Sequence, residues 1–310
     1  MGQQTRIANK HGNLNAPLNY SISAFIAAVL ISCLATTALL TNFLFFKFPG
    51  NNYFPANTSY AAASLIISYL GVYLCFNNHN LVKIIKEIIY FFLVMSVLAF
   101  FTNAVQYTPF QPIDQHIINF ENKLGIDIKQ IVAWTVDHQQ FAQLMAFIYD
   151  SLPYQMEILP LLIIFCQQWA CIRSYYCLLL LSALLGFTFY YFFPTVAPAS
   201  IIDSPHFTAY QLATGIKFRD LHSYIPPSTL EGGLIALPSF HTIWAWACLY
   251  LARGCRWLLI ILAPINCLLI TSCVLLGWHY PTDLFGSLLI LIICHLYLAK
   301  ISNRDPLIFC

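Results

Sequence analysis

Charge is what this chain has least of. Asp, Glu, Lys and Arg make up 8% of its 310 residues, and hydrophobic types make up 59%. A soluble domain carries about 25% charged residues. There is too little polar surface to cover so large a core in water, so much of the protein has lipid as its solvent. The net charge of +2 and the lack of a basic stripe exclude a nucleic-acid binder. The eleven cysteines include no CxxC pair. Most, such as Cys33, Cys75, Cys166, Cys248, Cys267 and Cys294, lie inside apolar runs and read as small buried apolar side chains. Internal repeats and low-complexity tracts are missing too. Without matching halves, a transporter built from inverted repeats loses its main sequence support.

Long apolar runs are what the chain does have. About 20 apolar residues carry a helix across the hydrocarbon. Eight segments qualify: about 21–46, 61–78, 84–106, 154–172, 175–194, 235–252, 257–277 and 280–299. The first is far longer than the roughly 7–15 residues of a signal-peptide core, so it reads as a retained span. The expected fold is an all-α polytopic membrane helix bundle of about eight transmembrane helices.

Placing the N-terminus inside puts Arg6, Lys10, Lys83, Lys86, Arg173, Arg253, Arg256, Lys300 and Arg304 on the inner side. The outer side then holds Lys47, Lys123, Lys129, Lys217 and Arg219. This asymmetry is that of the positive-inside rule. It puts both termini in the cytoplasm and brings the loop before span six and the turn before span eight to one outer face.

Residues 107–153, between spans three and four, are amphipathic. Ile113, Ile117, Ile118, Leu124 and Ile128 recur near helical spacing, followed by Trp134, Phe141, Leu144 and Met145. The pattern predicts interfacial helices with the apolar side down. They either cap the bundle or guide lipid to it.

The outer face carries LPSFHT (237–242) and GWHYPTD (277–283). Ser239 suits a helix N-cap and Pro281 a first helical turn. His279 and Asp283 are four apart, so a helix starting near Pro281 brings them together. A carboxylate on one imidazole nitrogen fixes the tautomer and frees the other nitrogen to attack. His241 is able to protonate a leaving oxygen. Ser239 and the N–H groups at the start of span six offer donors to an anion. Two histidines and one aspartate could also ligate zinc, but no further ligand stands at fixed spacing.

PSFH (Pro238 to His241) followed by HYPTD (His279 to Asp283) resembles the paired motifs of the type 2 phosphatidic acid phosphatase superfamily. Within it the likeness is greatest to the branch of inositol-phosphorylceramide synthases and related bacterial inositolphosphotransferase-like membrane proteins. IDQHIINFENKLGID, AFIYDSLPYQ and FPTVAP (Phe193 to Pro198) resemble the same branch, so the likeness covers roughly residues 110–290. It implies that His279 is the nucleophile and forms a phosphohistidine, and that Asp283 orients it. It further implies that His241 is acid and then base, that Ser239 helps hold the phosphoryl oxygens, and that no metal or other cofactor takes part. The chain would comprise a three-span region over 1–106, a catalytic membrane domain over 107–300 and a cytoplasmic tail over 301–310.

Two departures stand out. Where the superfamily shows SRxxxxxHxxxD, Ser272 is followed by Cys273. The KxxxxxxRP motif is absent too: counting from Lys217, positions 224 and 225 are Tyr224 and Ile225. A transferring phosphoryl group needs cationic or N–H donors. Lys217 and Arg219, in the loop leading to PSFH, are the candidate phosphate-binding cations. His222 and Glu157 are weaker candidates nearby.

The leading expectation is a membrane lipid phosphotransferase taking a phosphoryl or phospho-headgroup from a phospholipid donor to a lipid acceptor. The resemblance favours the bacterial inner membrane, with the site facing the periplasm. Water as acceptor would make the same site a lipid phosphate phosphatase. A transporter or a non-catalytic scaffold are the readings from other classes.

Overall fold

The computed structural model describes residues 16–75 and 78–302. Arg6, Lys10 and Arg304, used above for orientation, and the tail beyond Ser302 lie outside the described residues. All regular structure among the described residues is helical. In chain order the α-helices are α1 (Ala16–Thr41), α2 (Thr58–Cys75), α3 (His79–Val105), α4 (Asp114–Lys123), α5 (Ile128–Asp137) and α6 (Gln139–Tyr149). There follow α7 (Leu152–Phe165), α8 (Trp169–Phe192), α9 (Ala209–His222), α10 (Phe240–Ala252), α11 (Arg256–Leu275) and α12 (Pro281–Ser302). The protein is a polytopic integral membrane helix bundle.

The eight expected spans differ in length. Six described helices are long and apolar enough to cross a membrane: α1 with its π-helical extension to Phe46, α2, α3, α8, α11 and α12. The other two apolar segments form shorter helices. α7 has 14 residues and α10 has 13, so each is about 20 Å long against a hydrocarbon thickness of about 30 Å. Residues 235–239 were expected inside span six and are not helical. Ser239 caps α10 by accepting a hydrogen bond from Thr242 N, and the proline before it cannot donate one. The helix therefore begins five residues late.

α8 is the central post, with most of its residues buried, and it measures the depth of α10. At one end Arg253 Nη2 donates to Ser174 Oγ at 2.6 Å. At the other, the Phe240 ring packs tilted against that of Phe187, with centroids 4.4 Å apart. Gly186 makes this approach possible, because a Cβ there would come within 2.7 Å of the Phe240 ring. α8 continues six residues past Gly186, about 9 Å. The start of α10 is thus recessed below the Phe192 end of α8 rather than level with it.

α4, α5 and α6 cover this recess. Ile117 of α4 and Ile128 and Val132 of α5 join Phe207, Leu237 and Tyr280 in a small apolar core separate from that of the bundle, which takes Met145 and Ile148 of α6. Their other faces leave Phe120, Trp134 and Phe147 exposed. Of the cysteines named above, Cys248 and Cys294 are buried as expected, but Cys33, Cys75, Cys166 and Cys267 are exposed on helix surfaces. In lipid a thiol can face outward at little cost, so apolar flanks did not imply burial.

Candidate active site

His279 lies between α11 and α12, with 4% of its surface exposed. Gly277, at φ +79°, turns the chain out of α11, a conformation that costs glycine nothing. The following helix starts at Pro281, and Asp283 Oδ2 accepts hydrogen bonds from Tyr280 N at 2.9 Å and from His279 Nδ1 at 3.2 Å. Nδ1 also faces the carbonyl oxygen of Ala236 at 3.0 Å. One nitrogen facing two acceptors carries the proton, so in the neutral ring Nε2 holds the free lone pair. Burial pushes the pKa of His279 down to about 4, which keeps the ring neutral near pH 7.

Ala236 belongs to the extended stretch that replaces the expected start of span six. Its neighbours hold the site as well. Leu237 N donates to Thr195 Oγ1 at 2.7 Å, Ser239 N donates to Asp283 O at 3.3 Å, and Ser287 Oγ donates to Ser239 O at 2.9 Å. Backbone groups left without helical partners therefore tie the two motifs together.

His241, in the first turn of α10, has its ring centroid 5.9 Å from that of His279. Tyr149 of α6 stacks on it at 4.2 Å, and the Tyr149 hydroxyl lies 3.3 Å from His241 Nδ1. Trp278 stacks on the same tyrosine at 5.5 Å. Ser239 Oγ accepts from Thr242 N at 3.3 Å and from Thr242 Oγ1 at 3.2 Å, so its own proton remains to be donated. The thiol of Cys273, which stands where the superfamily motif has arginine, is buried beside Ser239 and Thr242.

The structure thus brings His241, His279, Asp283 and Ser239 together. Lys217 and Arg219 take no part in the hydrogen bonds and ring contacts that join these four. These two are not in a loop but on α9, two positions apart and so on different faces of that helix. Lys217 faces inward, 4% exposed, and donates to Leu230 O at 3.4 Å and Gly232 O at 3.2 Å. Burial lowers its pKa to about 8. Arg219 is exposed. We expect Lys217→Met to lower the melting temperature in detergent while leaving KM for a phospholipid donor within about twofold, since its ammonium is already taken up by Leu230 O and Gly232 O. A large rise in KM with unchanged melting would instead tie Lys217 to the phosphate. His222, offered as a site-lining group, has its Nδ1 2.9 Å from Phe218 O and its Nε2 3.1 Å from Thr108 O. Glu157 is exposed on α7.

The upstream stretches supply parts that motif reading left without roles. Glu121 of α4 accepts from Thr282 N at 2.8 Å and from Thr282 Oγ1 at 2.7 Å, clasping the first turn of α12. Asp114 at the start of α4 accepts from Val196 N at 2.9 Å, and Tyr280 lies against its carboxyl. Both acids are buried. Their signal in the sequence was their place in IDQHIINFENKLGID, just as Tyr149 stood in AFIYDSLPYQ and Thr195 in FPTVAP.

Burial, opposed by the Val196 N–H and reinforced by the charge of Asp283, raises the pKa of Asp114 from 3.8 to about 7. The native state therefore holds this proton more tightly than the unfolded chain. The stability tied to it is full below pH 3.8 and is lost as the pH rises through about 7. Asp114→Asn keeps an acceptor for Val196 and removes the titration. Melting measured from pH 5 to 8 should fall with pH in the native protein and be flatter in the variant; equal slopes would overturn the assignment.

A cavity of about 540 Å³ lies against Tyr149 and Trp278. Tyr149 and Trp278 form the wall shared with the site, and Gln139, Gln143, Thr208 and Gln211 line it further out. Among the described residues no group of three or more His, Cys, Asp or Glu is arranged to hold a metal ion.

The family model described as the PAP2 superfamily matches residues 115–297, more than half of the chain. The chain belongs to the PAP2 superfamily. The match runs from the second residue of α4 through most of α12, taking in both histidine motifs and Glu121 and starting one residue after Asp114. Membership makes this PAP2 protein a lipid enzyme of the phosphatase or phosphotransferase type in general. No curated protein and no solved structure matches the chain.

Proposed function

We propose that the protein is a lipid phosphotransferase of the branch that includes inositol-phosphorylceramide synthases, working through a phosphohistidine at His279. The observation that carries this reading is the hydrogen bonding of His279 Nδ1, which leaves Nε2 as a neutral nucleophile beside a second histidine. Nε2 attacks the phosphorus of a phospholipid, an N–P bond forms, and the P–O bond to the departing lipid alcohol breaks. His241 gives that oxygen its proton and afterwards takes the proton of the incoming hydroxyl. The acceptor oxygen then bonds to phosphorus, the N–P bond breaks, and the His279 lone pair is restored. Ser239 and the first N–H groups of α10 are suited to the phosphoryl oxygens. No metal or other cofactor takes part.

The cavity beside Tyr149 and Trp278 supports an organic acceptor, since it offers room and hydroxyl- and amide-bearing walls, one of them the tyrosine that stacks on His241. Hydrolysis is the second reading, favoured by superfamily membership itself. In either case the site faces the extracytoplasmic side, the periplasm of a bacterium, with both termini cytoplasmic. Residues 1–106 form an accessory three-span region and 107–300 the catalytic domain.

The test is to incubate the purified protein in vesicles with labelled phospholipid donors and several hydroxyl acceptors. A new labelled lipid that requires His279 supports transfer. Water-soluble phosphate or phospho-headgroup as the sole product would replace transfer by hydrolysis.

A further inference from the structure

A second cavity lies at the far end of the bundle. It measures about 640 Å³ and is bounded by α1, α3 and α8, within the range of small-molecule sites. Arg173 belongs to the first turns of α8, and Phe192 near the histidine end is 19 residues further along. Arg173 is therefore about 25–30 Å from the other end of that helix. Nothing in the proposed chemistry uses this cavity.

Its two ends differ. The polar end is made by Ser21, Lys86, Glu87 and Arg173. The guanidinium donates to Glu87 Oε2 and to Ser21 Oγ, both at 3.3 Å, and Glu87 is buried. The Arg173–Glu87 pair is neutral as a unit, so the exposed ammonium of Lys86, 5.7 Å from the Tyr90 ring, is an uncompensated positive charge at the mouth. Away from it the lining becomes apolar: Ala24, Ala28, Val97 and Leu180. Lys86 and Val97 are eleven residues apart on α3, about 16 Å, which is one leaflet's share of a hydrocarbon core about 30 Å thick. Phe25, Tyr90 and Leu93 line the cavity and are themselves exposed on the bundle surface, so it opens sideways to lipid.

We propose that this cavity binds one anionic phospholipid from the leaflet opposite the histidines, with its phosphate at Lys86 and Arg173 and an acyl chain along Ala24, Ala28 and Val97. The charge at the mouth selects against a zwitterionic headgroup, and the depth matches a chain lying in a single leaflet. Arg173 is held in place by Glu87 before any lipid arrives, so its remaining N–H groups need no reorganisation to meet a phosphate. Small side chains at positions 24 and 28, one helical turn apart on α1, make the room.

The test uses the full chain in phosphatidylcholine vesicles with photoactivatable phosphatidylglycerol, the probe carrying its reactive group in the acyl chain. Labelling is expected on peptides of α1 and α3 that line the cavity, competed by unlabelled phosphatidylglycerol. Lys86→Gln should weaken competition about fivefold, the effect of one charge near the surface. Ala28→Phe, which leaves no charge unpaired, should abolish labelling without lowering the melting temperature by more than a few degrees. His279→Ala should leave labelling unchanged, so failure of the catalytic reading would not disturb this result. Equal labelling by photoactivatable phosphatidylcholine would overturn the proposal. So would persistence of labelling in Ala28→Phe, or absence of labelling because another part of the chain fills the cavity.

Discussion

Replacing His279 by alanine is expected to lower turnover by about 10⁴- to 10⁶-fold, the scale on which loss of a covalent nucleophile is felt. Nothing else nearby can substitute. His241 is turned toward Tyr149, with its Nδ1 3.3 Å from that hydroxyl, and the thiol of Cys273 is buried beside Ser239. Folding should survive. The substitution leaves Ala236 O and Asp283 Oδ2 without the His279 donor, which costs about 1–3 kcal/mol for unmade buried bonds. Asp283 keeps Tyr280 N. A rapid-quench experiment with labelled donor should trap an acid-labile, base-stable phosphoprotein in the native enzyme and none in the variant. Turnover within tenfold of native in a well-folded His279→Ala protein would remove the histidine from the chemistry altogether.

Asp283→Asn carries the second largest expected effect and probes a detail of the geometry. Loss of an orienting carboxylate alone costs about 10⁴-fold where it is the sole guide of the imidazole tautomer. Here the Ala236 carbonyl oxygen also accepts from Nδ1, at 3.0 Å, so the correct tautomer keeps one partner. The loss should therefore be smaller, about 10²- to 10³-fold in kcat with little change in KM, reflecting the missing negative charge behind the developing imidazolium. The backbone role of residue 283 is independent of its side chain, since its carbonyl oxygen accepts from Ser239 N and Ser287 Oγ. Stability should fall only modestly. A loss as large as that of His279→Ala would mean that Ala236 does not hold the tautomer. No loss would mean that Asp283 is structural only.

How far the site could be read from the chain depends on the reach of each pattern. His279 and Asp283 were legible together because a helix start at Pro281 acts over four residues. Ser239 was legible as a cap for the same reason, its partner Thr242 being three residues on. The pairing of His241 with His279 needed a further step, the placement of two distant loops on one face by charge asymmetry. Lys217 and Arg219 were misplaced because α9 has no apolar run to announce it. It is instead started by a capping box at Thr208 and Gln211, and helical geometry then turns the two cations to different sides. Span six was overextended for the opposite reason: Ile235, Ala236 and Leu237 are apolar enough for a membrane helix, yet Pro238 and Ser239 start the helix after them.

The sequence by itself determined the solvent, the helical class, the succession of apolar segments and the local geometry of the two histidine motifs. Those properties follow from composition and from patterns no longer than a helical turn or a membrane thickness. Only the tertiary structure decided how deep the site lies, that the Ala236 carbonyl shares the His279 proton, and that Glu121 clasps the start of α12 across 161 residues of chain. It also decided that Lys217 spends its charge on a loop. Each is a contact between groups far apart in sequence, or a choice of helix face set by what packs against it, and neither leaves a period or a spacing to be read.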